Sequence, residues 1–512
     1  MQPHQECELK LLLEPTSHAT LARSDLLARA GGDPRRKLTH TLYFDTPDFA
    51  LRAEGLSLRI RRDANGAVQT VKTAGPALRR GEWNMPIAGD RPEPDRVPDH
   101  KIARFLGRGR IRKTLAPVFR VDVERDVWTV VEGDDALEIV LDSGVIATDD
   151  AETPVCEAEI ELTAGDPAAL RRMASRIGQV VPTLLSLTGK ADRGYRLLGE
   201  ETAIVSIDAG SDSLPIGAAH RVAATAALRT LFEDFEAVHR TGTVESVHRS
   251  RVSLRRVRAL RSLFRPLLVE TEAMEPGVRE TGDALRTIAR RLGALRDLDV
   301  FCADRLTAAR SAHPQAPGFA ALADHLAGRR AGRLAEARDA LTSPDCLRLC
   351  LALVWEAEGL DRRAGGSIEH EPLAPFLRAA WDRRMRRLNR DARNLGRKTV
   401  AERHDVRLAA KKLRYMIEPF AGLAEGKAAM QMLARLKALQ DGLGALNDGA
   451  TAERLVIDLL DEVGKDKGVA GQAHFAAGLI AGLAAGDEHR LRRAAEKARD
   501  RLAATRPFWA SW

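Results

Sequence analysis

Chemistry enters this sequence at residues 5–11, QECELKL, where Glu6, Glu8 and Lys10 occupy alternate positions. Side chains at i, i+2 and i+4 of a β-strand share a face. Two carboxylates and an ammonium would therefore line one side, with Cys7, Leu9 and Leu11 on the other. The same parity gathers Glu157, Glu159 and Glu161 in VCEAEIEL, Glu138 and Asp142 in ALEIVLDSG, and Arg59 and Arg61 in LSLRIRR. It also sets Lys72 beside Thr70, and Arg120 beside Asp122 and Glu124 in VFRVDVERDVW. Carboxylate oxygens suit Mg²⁺ or Mn²⁺, and guanidinium and ammonium groups suit phosphate oxygens. If these strands close around one interior, the expected ligand is a compact polyphosphate with a divalent metal.

The elements that must position these residues fall into two halves. Up to about residue 200, short alternating segments at 38–46, 56–63, 67–74, 82–87, 118–128, 136–146 and 155–162 are separated by turn residues such as DANG (63–66) and EGDD (132–135). This is the pattern of an antiparallel sheet or barrel, interrupted by helical patches near 17–30, 98–107 and 167–179. From about 216 onward strands vanish and Ala, Arg and Leu recur at helical spacing. SIDAGSDSLPIG (206–217) reads as a linker, and GGSIEHEP (365–372) as a second break.

The helical half repeats itself. HRSRVSLRRVR (248–258) and HDVRLAAKKLR (404–414) both fit H-x-x-R-x-x-x-[RK]-[RK]-x-R, and each precedes a second match, LGALRD (292–297) and LGALND (443–448). Such ordered matches indicate an internal duplication. At 100° per residue, His248, Arg251, Arg255 and Arg258 fall within an arc of about 80°, and His404, Arg407, Lys411 and Arg414 repeat it. His248 to Phe264 carries Arg249, Arg251, Arg255, Arg256, Arg258 and Arg261 and no acid. Unrelieved like charge costs stability, so an anionic ligand is expected. Aromatic residues for stacking bases are scarce and nucleic-acid-binding motifs are lacking, which disfavours nucleic acid.

Composition is consistent with this: 512 residues call for two or three domains, the net charge is +8, charged residues make up 30% and aromatics 4%. The five cysteines (Cys7, Cys156, Cys302, Cys346, Cys350) form no CxxC pair, which argues against a disulfide framework or zinc cluster. No leader pattern is visible at the start, and FAAGLIAGLAAG (475–486) is too short to span a bilayer. The expected location is the cytoplasm, with no membrane partner.

The ordered set ECELK, YFDT (43–46), GLSLRIR (55–61), Val71–Lys72, EWN (82–84), EIVLDSG (138–144), CEAEIEL (156–162) and GKADRGY (189–195) resembles the CYTH, or triphosphate tunnel metalloenzyme, family. The resemblance covers about residues 1–203 and implies an eight-stranded antiparallel tunnel barrel. It implies Glu6, Glu8, Glu157, Glu159 and Asp142 as metal ligands, Glu138 as a further acid, and Lys10, Arg59, Arg61, Lys72, Arg120, Lys190 and Arg193 as the phosphate grip. Glu6, Glu8, Lys10, Glu157 and Glu159 would form the catalytic set. A glutamate of the second acidic strand would position the attacking water, the choice among Glu157, Glu159 and Glu161 staying open. The implied activity is Mg²⁺- or Mn²⁺-dependent hydrolysis of inorganic tripolyphosphate, with a non-catalytic polyphosphate receptor and an adenylyl cyclase as alternatives.

The helical half resembles the CHAD domain across 218–508, after a linker at 204–217, with repeats at about 218–364 and 372–508. That resemblance implies an all-α domain of two duplicated bundles binding long-chain polyphosphate, and association with polyphosphate granules. His248 and His404 would be the namesake histidines, either touching phosphate or structural. Asn447 stands where the first repeat has Arg296. The expected fold class is multi-domain α+β.

Overall fold

The structure is a computed structural model describing residues 4–63, 66–73, 75, 78–200, 207, 213–269, 275–360, 367–424, 427–463, 470–484 and 488–511. The chain divides into two compact units, Met1–Ile204 with Leu341–Leu360, and Val205–Ala340 with Asp361–Trp512.

The first unit is built on strands β1 (His4–Leu12), β2 (Arg35–Asp45), β3 (Leu56–Asp63), β4 (Gly66–Thr73), β5 (Arg79–Ile87), β6 (Ala116–Glu132), β7 (Asp135–Ala147), β8 (Glu152–Ala164) and β9 (Leu184–Ser186). They pair in the order β5-β4-β3-β2-β6-β7-β8-β1-β9, and β5 also pairs with β1, which closes a ring of eight with β9 outside it. The closure is short. His4–Cys7 pair with Arg79–Glu82, after which the same edge of β1 passes to β9 at Lys10–Leu12.

Alternation decides what the ring encloses. Leu58, Ile60, Val71, Trp83, Met85 and Ile87 point outward, where Ile102, Leu106 and Ile111 of the helices His100–Leu106 and Gly109–Thr114 cover them. Cross-strand partners Arg125↔Asp142, Asp142↔Glu157, Lys10↔Glu159 and Lys72↔Glu82 share the opposite, inner face. One end of the interior is filled by Tyr43, Phe119, Val121, Val123, Ile146, Val155 and Tyr195. Phe119 stacks on Tyr43 with centroids 4.6 Å apart and meets the edge of Tyr195 at 5.3 Å. A Cβ on Gly194 would come within 2.3 Å of the Phe119 ring, so the glycine of GKADRGY lets the helix Lys190–Leu197 seat on this plug.

The helix Pro344–Glu358 departs from the expected domain plan. Sequence reading assigns it to the first helical repeat, but it belongs to the first unit, against the helix Ala168–Val180 and β9. Leu347 fills the space that a side chain at Gly178 would need, and the Arg171 guanidinium lies 5.9 Å from the Trp355 ring. Its apolar face reads like any buried helix face, and nothing in the sequence says which partner covers it.

In the second unit the described residues are helical apart from short connections. Val244–Leu263 packs against Ile216–Arg240, Glu275–Val300 and Val400–Ile417. The core joins Leu260, Phe264, Trp381, Leu413, Ile417, Phe420 and Trp509. Thr243 and Thr399 cap equivalent helices, their side chains accepting from the N–H groups of Ser246 and Glu402. Most of the expected linker, 204–217, and part of the break at 365–372 lie outside the described residues. Among the described residues no helix is long and apolar enough to cross a membrane.

Candidate functional site

The inner face of the ring carries two charged zones. Next to the aromatic plug, Asp142, Glu157 and Glu159 present oxygens within 4.8 Å of one another. Four bases enclose them. Lys190 Nζ lies 2.7 Å from Asp142 and 3.1 Å from Glu159 and also pairs with Glu157, while Lys10 Nζ lies 2.6 Å from Glu159 and 2.8 Å from Glu8. Arg125 grips Asp142 through Nε at 2.8 Å and Nη2 at 2.6 Å, and Arg193 donates to Glu157 at 3.0 Å. Asp142 and Glu157 are 0% and 1% exposed. Burial works against every charge here, yet Lys10, Lys190 and Arg125 hold Glu159 well below the usual carboxylate range. Glu159, Glu8 and Glu157 in turn raise the Lys10 ammonium against the same desolvation.

Away from the plug, acids meet acids. Glu161 stands directly across from Glu8 on β1 and from Glu138 on β7. Two like charges about 5 Å apart repel by roughly 3 kcal/mol at an effective dielectric of 20, and opposed like charges destabilise a sheet. Glu8 is relieved by Lys10, Glu138 by Arg35 at 3.2 Å, and Glu6 by Lys72 at 2.5 Å. Among the described residues Glu161 makes no hydrogen bond or ion pair. Burial, followed by Glu6, Glu8, Glu82 and Glu138, pushes its carboxyl up to about 7. This oxygen-rich end, with the cluster of Asp142, Glu157 and Glu159 behind it, fits a hard divalent cation.

Opposite the acids sit two neighbouring guanidiniums. Arg59 donates to the Tyr43 hydroxyl at 3.5 Å and lies 3.6 Å from Glu82. Arg61 makes no hydrogen bond or ion pair among the described residues, and its Nε is buried without a partner. Arg59 above all, with burial and Arg125, pushes it down to about 10. A buried guanidinium weakened by its neighbours is a receptor for anionic oxygens.

In the helical unit the two basic arcs belong to the paired helices Val244–Leu263 and Val400–Ile417. Arg251 lies across Gly293 and donates to Ala289 O at 3.3 Å; Arg407 lies across Gly444. A Cβ would meet these guanidiniums at 2.5 and 2.9 Å, so the glycine of each LGAL makes room for the first arginine of each H-x-x-R. His248 is half-buried, and burial together with Arg296, Arg255 and Arg251 lowers its pKa. The Asn447 side chain lies outside the described residues.

A family model of the CYTH domain matches residues 4–195, and one of the CHAD domain matches residues 222–456. The chain carries a CYTH domain followed by a CHAD domain. The inorganic triphosphatase of Haemophilus influenzae is 28% identical over 205 residues, 38% of this chain and 56% of that protein, so the chain spans little more than half of that relative. The crystal structure of the Ricinus communis CHAD domain is 25% identical, with a TM-score of 0.49, over 59% of this chain and 96% of that one. The Hippeastrum protein HpAC1, with a dominant triphosphatase activity, is 22% identical with a TM-score of 0.29, over 37% of this chain and 95% of that one. At these scores the structural likenesses decide nothing; the assignment rests on the family models.

The CYTH interior gathers Glu6, Glu8, Lys10, Arg59, Arg61, Lys72, Glu138, Asp142, Glu157, Glu159, Lys190 and Arg193. Arg120 is the correction. It lies on the outer face of β6, half exposed, 3.0 Å from Asp122, which also pairs with His40. The base that β6 supplies to the interior is Arg125, whose neighbours of like parity are Val123 and Val127. That face reads as apolar, so sequence parity selects the wrong side. Glu82 and Tyr43, within the motifs EWN and YFDT, line the interior as well; the signal for Glu82 is its register opposite Lys72.

Proposed function

We propose that the CYTH domain hydrolyses inorganic tripolyphosphate to diphosphate and phosphate with Mg²⁺ or Mn²⁺, and that the CHAD domain binds long-chain polyphosphate. The observation that carries the first part is that Arg61, half-buried without an ion-paired acid, and Glu161, a half-buried acid without a basic partner, share the same enclosed face. The name of the Haemophilus influenzae relative supports the substrate.

A divalent cation held by Glu6 and Glu8, with Asp142, Glu157 and Glu159 behind them, would withdraw charge from the phosphoryl oxygens. Arg59, Arg61, Lys72 and Arg125 would grip the remaining oxygens, stabilising charge on the departing diphosphate without reorganising. Glu161 or Glu159 would orient the attacking water. Glu161 is the better base, because Glu159 is bound to three cations. The aromatic plug closes one end, which favours a short inorganic chain over a nucleotide.

The test is phosphate release from tripolyphosphate, ATP, thiamine triphosphate and long-chain polyphosphate, each with Mg²⁺ or Mn²⁺, by wild type and Glu161→Gln. Release from tripolyphosphate that is lost in the variant supports the proposal. Retention of polyphosphate without turnover would make the protein a receptor, and cyclic AMP from ATP would make it a cyclase.

A further inference from the structure

The CHAD domain contains one helix twice at a constant spacing, and the two copies are not electrostatically equal. The equivalences are Thr243 with Thr399 (both N-caps), His248 with His404, Arg256 with Lys412, Arg258 with Arg414, and Phe264 with Phe420 (both fully buried). On this register Ser262 corresponds to Glu418.

Glu418 ties the pair together at one end. It accepts from Arg414 Nη1 at 2.8 Å and from Arg256 Nε of the other helix at 3.4 Å. At the opposite end Arg258 and Lys412 stand in the places of Arg414 and Arg256, and the position of the bridging acid holds Ser262. The Ser262 carbonyl and hydroxyl both accept from Arg384 Nη2 at 3.1 Å, which brings in another cation. Among the described residues Arg258 and Lys412 make no hydrogen bond or ion pair. The strain shows in the bases. Burial together with Arg384, Arg258 and Arg387 pushes Lys412 down to about 8, and burial with Arg383 and Arg387 lowers Arg384.

We infer that the Ser262 end, formed by Arg258, Arg384 and Lys412, is the subsite that grips the phosphoryl groups of an inorganic polyphosphate chain, while Glu418 closes its counterpart at the other end. The inference rests on reading the CHAD domain as a polyphosphate binder. Guanidinium forks and an ammonium match phosphate oxygens, and this cluster offers charge without a ring on which a base could stack.

Exchanging the two distinguishing residues tests it. Binding of fluorescently labelled polyphosphate to the full chain would be followed by anisotropy at fixed salt, with circular dichroism checking the fold. Ser262→Glu, which copies the acid of the other end, should weaken binding by about ten-fold or more. Ser262→Thr should bind like wild type, and Glu418→Ser should bind as well or better. Unchanged binding by Ser262→Glu, or an equal loss in Glu418→Ser, would overturn the subsite while leaving the CHAD domain a polyphosphate binder. Absence of binding by wild type would remove that reading as well.

Discussion

The Glu358 carboxylate accepts the backbone N–H of Leu78, a residue 280 positions earlier, at 3.3 Å. The carbonyl of the same Leu78 accepts from the N–H of Glu8 at 3.2 Å. The C-terminal end of the helix Pro344–Glu358 thus reaches, through one residue, the strand that supplies the first acids of the tunnel. Leu347, Leu351, Val354 and Trp355 of this helix are each at most 3% exposed.

It follows that a fragment cut at residue 204 is incomplete. Burying one large apolar side chain is worth about 1.5–3 kcal/mol, so loss of four rivals the whole stability of a typical domain, roughly 5–15 kcal/mol. Residues 1–204 alone should aggregate or melt far below the full chain in a thermal scan. In the full chain, Gly178→Val should drive a side chain into Leu347 and lower the midpoint; an unchanged midpoint would show that the helix is not held there.

Asp45, of the YFDT motif, is a structural hub. Its carboxylate accepts from the N–H groups of Thr46, Leu51 and Arg52 and from the Tyr195 hydroxyl at 2.7 Å, and it is 0% exposed. Asp45→Ala would leave several buried donors unpaired, at about 1–3 kcal/mol each. Chemical denaturation should show a loss of at least about 3 kcal/mol, with weakened seating of the helix Lys190–Leu197. A neutral effect would mean that water reaches this site.

Arg61 and Arg120 separate the inner face from the outer. Arg61→Ala should cut kcat/KM on tripolyphosphate by about 100-fold, the scale of one lost charge-assisted contact of about 3 kcal/mol. Arg120→Ala should stay within about two-fold of wild type, because its partner is Asp122 on the outer face. Similar losses in both variants would contradict the interior described above.

These contrasts mark what the sequence could show. Eight ring strands are legible because each spans at least eight residues, long enough to show an alternating stretch, while β9 has three residues and no room for a pattern. Parity found the inner residues of β1, β3, β4, β7 and β8, whose outer faces are apolar. It failed on β6, where Arg125 sits among valines inside and Arg120, Asp122 and Glu124 lie outside. Glu161 was visible as an acid, but the lack of a basic partner is a property of the closed ring. The roles of Ser262 and Glu418 likewise depend on which helices cross.

The Ser262 end should make polyphosphate binding depend on pH, with Lys412 as the titrating group. It faces Arg258 from Val244–Leu263 and Arg384 and Arg387 from Leu373–Asp391, and the guanidiniums stay charged across the relevant range. The folded chain releases the Lys412 proton at about 8, whereas an ordinary lysine holds it to 10.5. Below pH 8 both folded and unfolded chains carry the charge, so its repulsion is fully present; between 8 and 10.5 only the unfolded chain remains protonated, and folding stability from this group rises with pH. A bound polyanion reverses the preference, because it favours the charged ammonium. Polyphosphate affinity should therefore fall as pH rises through 8, with proton uptake on binding near that pH. Lys412→Arg should bind tightly with a flat profile from pH 7 to 9, measured by anisotropy at constant ionic strength. If wild type and Lys412→Arg weaken in parallel over that range, the titrating group lies elsewhere and Lys412 is not part of the grip.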